Sequence, residues 1–147
     1  MKKVQGLAVR NTLFVALSFS LFAAGFAHAA HTPVFRGEFT LTSQVQWGNT
    51  VLQPGDYTII IESISTLTVA QIRDGKGRAA GFVMGIDDGK TSARNALLVK
   101  EKGGHLRVYS LELASLGKTL VYDPGLAREA ILESRAPQTV PVMLAKR

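Results

Sequence analysis

The sequence contains no cysteine, only one tryptophan and only 3 histidines. Without cysteine there is no disulfide scaffold, no cysteine nucleophile, no iron–sulfur cluster and no thiolate zinc site. Acidic residues are missing from the N-terminal quarter, the first being Glu38. After Ala30 there is also no long apolar run. The longest, Ala79–Ile86, is far shorter than the roughly 20 residues a spanning helix needs. No repeat or low-complexity tract is present. What is there is a chain of 147 residues with formal net charge +6. That length suits one ordinary domain, which typically runs to about 100–150 residues.

The first thirty residues read as an address. Lys2, Lys3 and Arg10 form a positive end, and Thr12 to Ala27 is an apolar run. Ala27-His28-Ala29 then places small residues at the −3 and −1 positions of a cleavage site. This three-part order is that of a secretory signal. The predicted cut follows Ala29, and an uncleaved membrane anchor is the rival reading. Residues 1–29 are thus a leader, 30–135 a single domain, and 136–147, with Pro137 and Pro141, a flexible or edge-packed tail. Cleavage removes three of 17 basic residues and none of 11 acidic ones, which lowers the formal charge from +6 to +3. So small a charge on an exported chain argues against nucleic acid as a partner. No membrane span remains after cleavage, and the destination is the periplasm or the exterior.

The remaining chain reads as short strands between turns. Phe35, Gly37, Phe39 and Leu41 alternate with Arg36, Glu38, Thr40 and Thr42, the period of two of a half-buried strand. Val45 and Trp47 extend this pattern to Gly48-Asn49. Gln53-Pro54-Gly55-Asp56 is a turn, since proline presets φ and glycine accepts a positive one. Strands follow over residues 57–62, 67–73 and 78–87, the last interrupted by Gly81 and Gly85, which suggest a bulge or a close backbone approach. Residues 96–102 and 105–113 form a hairpin around Gly103-Gly104, and 119–123 is a further strand. Leu106 and Val108 share a parity that Leu111 and Leu113 do not, so a bulge is expected near Tyr109-Ser110. Turn signals at this spacing predict an all-β fold, an antiparallel sandwich or partly open barrel of about 7–8 strands. Asp123-Pro124 opens a short C-terminal helix with Ala127, Ala130, Ile131 and Ser134 on one face, or else an extended tail.

Catalytic patterns are weak. Serine chemistry needs a base and an orienting carboxylate, and no serine sits in a G-x-S-x-G elbow. His105 opens a strand beside a turn and reads as an exposed histidine. Asp87 and Asp88 are adjacent, so on a strand they point to opposite faces, and no metal site is expected. Gly75-Lys76-Gly77 lacks the spacing of a phosphate loop. Glu38, Glu62, Glu101 and Glu112 are the carboxylates on which a small hydrolase would have to draw. The expectation is a non-enzyme without a cofactor.

Hairpin geometry supplies the sharpest constellation. With Gly103-Gly104 as a two-residue loop, Lys102 faces His105 and Lys100 faces Arg107 on one side of the ribbon. At the Asp74–Gly77 turn the same counting sets Arg73 opposite Arg78. Like charges so placed repel, by up to roughly 1 kcal/mol per pair. A basic face for an anionic envelope polymer is the functional reading. A solvated, aggregation-resistant edge is the plain one. A second arrangement is an aromatic platform for sugars built from Trp47, Tyr57, Tyr109 and Tyr122, against which stands a core role for Trp47.

Three segments together resemble a family. They are Phe39-Thr40-Leu41, the stretch WGNTVLQPGDYT from Trp47 to Thr58, and IRDGKG from Ile72 to Gly77. This resembles small exported proteins of soil bacteria of the acidobacterial kind, with their V-G-x-x-x-L-P-A-G-x-Y-T segment and I-R-N-x-x-G-K hairpin. Leu98 to Leu113 and Leu126 to Ile131 lie where the family's later strand pair and charged terminal stretch would fall. The resemblance implies a β-fold and export and carries no catalytic residue. The expected function is a non-catalytic envelope domain that binds an anionic polymer or another envelope protein, with a carbohydrate-binding module as the alternative.

Overall fold

The computed structural model describes residues 32–133 and 136–146. The leader falls on residues outside this range. Among the described residues, eleven strands form one sheet that is not closed into a barrel. They are β1 (Phe35–Leu41), β2 (Val45–Trp47), β3 (Thr50–Leu52), β4 (Gly55–Ile61), β5 (Leu67–Asp74) and β6 (Ala79–Asp87). Then come β7 (Asn95–Lys102), β8 (His105–Leu113), β9 (Lys118–Val121), α1 (Pro124–Leu132), β10 (Gln138–Pro141) and β11 (Met143–Leu144). The hydrogen-bonded order is β10-β7-β8-β9-β6-β5-β4-β1-β11.

Alternation in β1 sends Phe35, Phe39 and Leu41 inward and Arg36, Glu38 and Thr40 outward. β4, β7 and β8 add Ile59, Ile61, Leu97, Val99, Leu111 and Leu113 to the same core. The bulge in β8 is present. Leu98 pairs with Ser110 and Val99 with Val108, which leaves Tyr109 as the extra residue. Its ring crosses to the outer side of the sheet and meets Leu98 and Leu126 in a small second core beneath α1.

Eleven strands are three or four more than the 7–8 expected. Gly48, at φ 58, turns the chain so that Trp47 pairs with Thr50, which makes Thr50–Leu52 a strand. β2 then runs parallel to β8, against the antiparallel expectation. β8 is therefore flanked by β2 at its start and by β9 at its end. The tail is packed on the sheet. β10 pairs with β7, β11 pairs with β1, and Val142 between them is buried against Gly37. Residues from one short segment thus border both ends of the strand path.

α1 forms as the Asp123-Pro124 signal indicates. The Asp123 carboxylate accepts a hydrogen bond from the Leu126 amide at 2.9 Å, a side-chain cap that satisfies an otherwise orphaned donor. Its packed face matches the expected one in part. Ala127 and Ala130 of that face do meet the sheet, together with Leu126, while Ile131 is exposed and Ser134 lies outside the described residues.

Candidate functional site

The β7–β8 hairpin has the expected register: Lys102 lies opposite His105 and Lys100 opposite Arg107. Gly103 and Gly104, at φ 62 and 77, make the turn. α1, however, brings carboxylates to this face. Lys100 Nζ lies 2.8 Å from Glu133 and 3.9 Å from Glu129, and Lys102 Nζ lies 3.1 Å from Glu129. The hairpin and the helix are joined by opposite charges, and the two lysines are not a bare cationic surface. His105 is exposed at the hairpin tip, and Arg107 is half-buried.

The second basic pair does not form. β5 and β6 shift register at Ile72/Arg73, and Arg73 pairs with Ala79. The cause is Asp74. Its carboxylate accepts the amides of Lys76 and Arg78 at 3.0 and 2.9 Å, and the Arg78 guanidinium lies 2.7 Å away. Arg78 thus faces a carboxylate, whose pKa it holds below the usual range through a side-chain hydrogen bond. The Arg73 guanidinium turns back to donate to Gln71 Oε1 at 3.1 Å.

The aromatic platform is corrected as well. Trp47 is 0% exposed and lies in the core. Its ring stands edge-on to Phe39 and Tyr122, with centroids 6.1 and 5.1 Å away, while Phe39 stacks on Tyr57 at 5.5 Å. Burial pushes the Tyr122 and Tyr109 phenols above their ordinary range. The Tyr57 hydroxyl donates to the Gln53 carbonyl at 2.8 Å. Trp47, Tyr57 and Tyr122 pack in the main core and Tyr109 in the small one beneath α1, so the four do not form one exposed platform. The reason is parity: Trp47 shares the inward side of β2 with Val45.

Of the carboxylates named from the sequence, Glu38, Glu101 and Glu112 lie on three different strands and Glu62 just past β4. Glu112 is taken up by Arg94 at 2.8 Å, and Glu38 and Glu62 are exposed. Glu101 and His105 both line an open groove of about 630 Å³ with Ser43, Gln46 and Leu106, but the hairpin pairs Glu101 with Leu106 and His105 with Lys102. The Glu101 and His105 side chains are exposed there.

The surface that sequence reasoning missed is on β5 and β6. Inward, β6 carries Gly81, Val83 and Gly85. A Cβ on Gly81 would come within 2.7 Å of the Thr50 side chain, and one on Gly85 within 2.9 Å of the Tyr122 ring. The two glycines therefore make close approaches, and no bulge falls between them. Outward, the same strand carries Phe82, Met84 and Ile86, which are 63%, 62% and 47% exposed. β5 matches them. Leu67 pairs with Ile86, Val69 with Met84 and Gln71 with Phe82. Leu67 and Val69 are themselves about half exposed, at 54% and 48%. The result is a continuous apolar ribbon on the solvent side of the sheet. Charges of both signs lie near it, some of them a strand further out. Arg36 and Arg73 lie on the outward positions of β1 and β5, and Glu38 and Glu62 are exposed on β1 and just past β4.

No family model matches the chain, and no curated protein or solved structure does.

Proposed function

We propose that the chain is an exported, non-catalytic β-domain of the bacterial cell envelope that works by association with another envelope protein through the outer face of β5 and β6. One observation carries this reading: the inversion on β6, with glycine toward the core and Phe82, Met84 and Ile86 toward solvent. The largest apolar patch on a domain is often a site of interaction. The leader pattern of residues 1–29 and the resemblance of Trp47–Thr58 and Ile72–Gly77 to small exported proteins support the location.

The apolar face is preferred to the hairpin for a physical reason. An anionic polymer would have to compete with Glu129 and Glu133 for Lys100 and Lys102. The ribbon on β5 and β6 has no such competitor among the described residues. In this reading the sheet wraps its core as a partly open barrel, with β10 and β11 drawing the β7 and β1 edges together, and its β5–β6 wall serves as the contact.

The test is native size in an envelope extract after expression with the chain's own leader. The wild type is expected to migrate as a larger species, and a triple variant, Val69→Thr, Phe82→Ser, Met84→Gln, as a single free domain. A wild type that already migrates as a free domain overturns the reading.

A further inference from the structure

We infer that the partner on the β5–β6 face is a second copy of this chain, packed face to face about a two-fold axis. The inference rests on the reading that this face is the working surface, and it adds what occupies it. Two features favour a second copy.

The first is area. Five large apolar side chains stand about half to two-thirds exposed. At that exposure they leave on the order of 500 Å² of surface, near the top of the range for the largest patch on a monomer. Two copies face to face would remove about twice that, which reaches the roughly 1,000 Å² that a specific interface needs. The ribbon is also self-matching in kind, with branched Leu67, Val69 and Ile86 beside flexible Met84 and flat Phe82. A two-fold contact requires one patch to complement itself.

The second feature is the charge near the ribbon. Arg73 on β5 and Glu62 just past β4 are exposed beside the ribbon, and Arg36 and Glu38 stand outward on β1, beyond β4. Charges of both signs can pair with their own rotated image. An anionic lipid surface would instead be met by basic residues alone. A closed two-fold contact also covers the ribbon completely, so that it cannot grow into open-ended assemblies.

Sedimentation velocity on the protein purified from an exporting host tests this, over a wide concentration range. The wild type is expected to shift from monomer to dimer as concentration rises. Met84→Glu places one buried charge on each side of the contact and is expected to weaken self-association on the order of 100-fold. Its circular dichroism and Trp47 emission are expected to be unchanged. If that variant does not fold, the milder pair Val69→Thr and Phe82→Ser takes its place. A wild type that is monomeric at every concentration overturns the inference, and so does a dimer that Met84→Glu leaves intact. A monomer that binds phosphatidylethanolamine–phosphatidylglycerol vesicles only when Met84 is present also overturns it and assigns the face to lipid. A monomer in purified form that still migrates as a larger, Met84-dependent species in the envelope extract sinks the second copy and leaves the association reading standing.

Discussion

Val69 and Met84 are direct partners across β5 and β6, and both are turned to solvent, at 48% and 62% exposure. The next pair along the ladder, Ala70 and Val83, is buried in the core. Period-two geometry makes the two pairs opposite faces of one ribbon. Stability measurements separate the faces. In dilute protein, Met84→Gln is expected to change the unfolding free energy by no more than about 0.5 kcal/mol. Leu111→Ala, at a fully buried site, is expected to cost about 2–5 kcal/mol. Urea unfolding of the two variants checks the contrast.

Gly85 has no room for a side chain, because an added Cβ would meet Tyr122 at 2.9 Å and Leu120 at 3.1 Å. The Tyr122 ring is held in turn by Trp47. Gly85→Ala is therefore expected to destabilise the fold by about 1–3 kcal/mol through overpacking. The shift in the urea midpoint measures it.

Trp47 reports the core directly, because it is the sole tryptophan. Its complete burial predicts blue-shifted native emission that iodide quenches poorly. Trp47→Ala is expected to cost about 3–5 kcal/mol, as deletion of a large aromatic from a packed interior does. Emission that iodide quenches freely in the native state would contradict the packing described.

Asp87 accepts a hydrogen bond from Lys118 Nζ at 2.6 Å, chiefly because of which its pKa lies below the usual 3.8. A depressed carboxylate stabilises the fold above its unfolded pKa, and that contribution is lost as pH falls through the folded value. Asp74 beside Arg78 behaves in the same way. The urea midpoint of the wild type is therefore expected to decline as pH falls below about 5. Asp87→Asn is expected to flatten that decline and to lower the midpoint near neutrality.

Much of the fold is legible in the sequence because period two and turn chemistry are local. β1, the Gly103-Gly104 hairpin, the Tyr109 bulge and the Asp123 cap all follow from residues close together in the chain. The parallel contact of β2 with β8 depends on distant partners and has no local signature. The basic hairpin illustrates the same limit. Its register is readable from the two glycines, but its compensation by Glu129 and Glu133 requires α1 to fold back across it. Arg73 and Arg78 miss each other because the turn closes around Asp74 with Gly77 at positive φ, which counting backbone positions overlooks. The apolar ribbon did leave a signal: glycine alternates with Phe82, Met84 and Ile86. Read as a core strand, that stretch hides its orientation, because either parity can be the inner one.

The central claim, that the outer face of β5 and β6 is covered in the working protein, is tested most directly by thiol accessibility in intact envelopes. The chain has no cysteine, so a single introduced thiol is unambiguous. Met84→Cys reports the ribbon, and Lys76→Cys, on the exposed β5–β6 turn, serves as the reference. A membrane-impermeant maleimide is expected to label Lys76→Cys quickly and Met84→Cys slowly, the two rates becoming equal after denaturation. Equally fast labelling of both positions in the envelope would contradict the account.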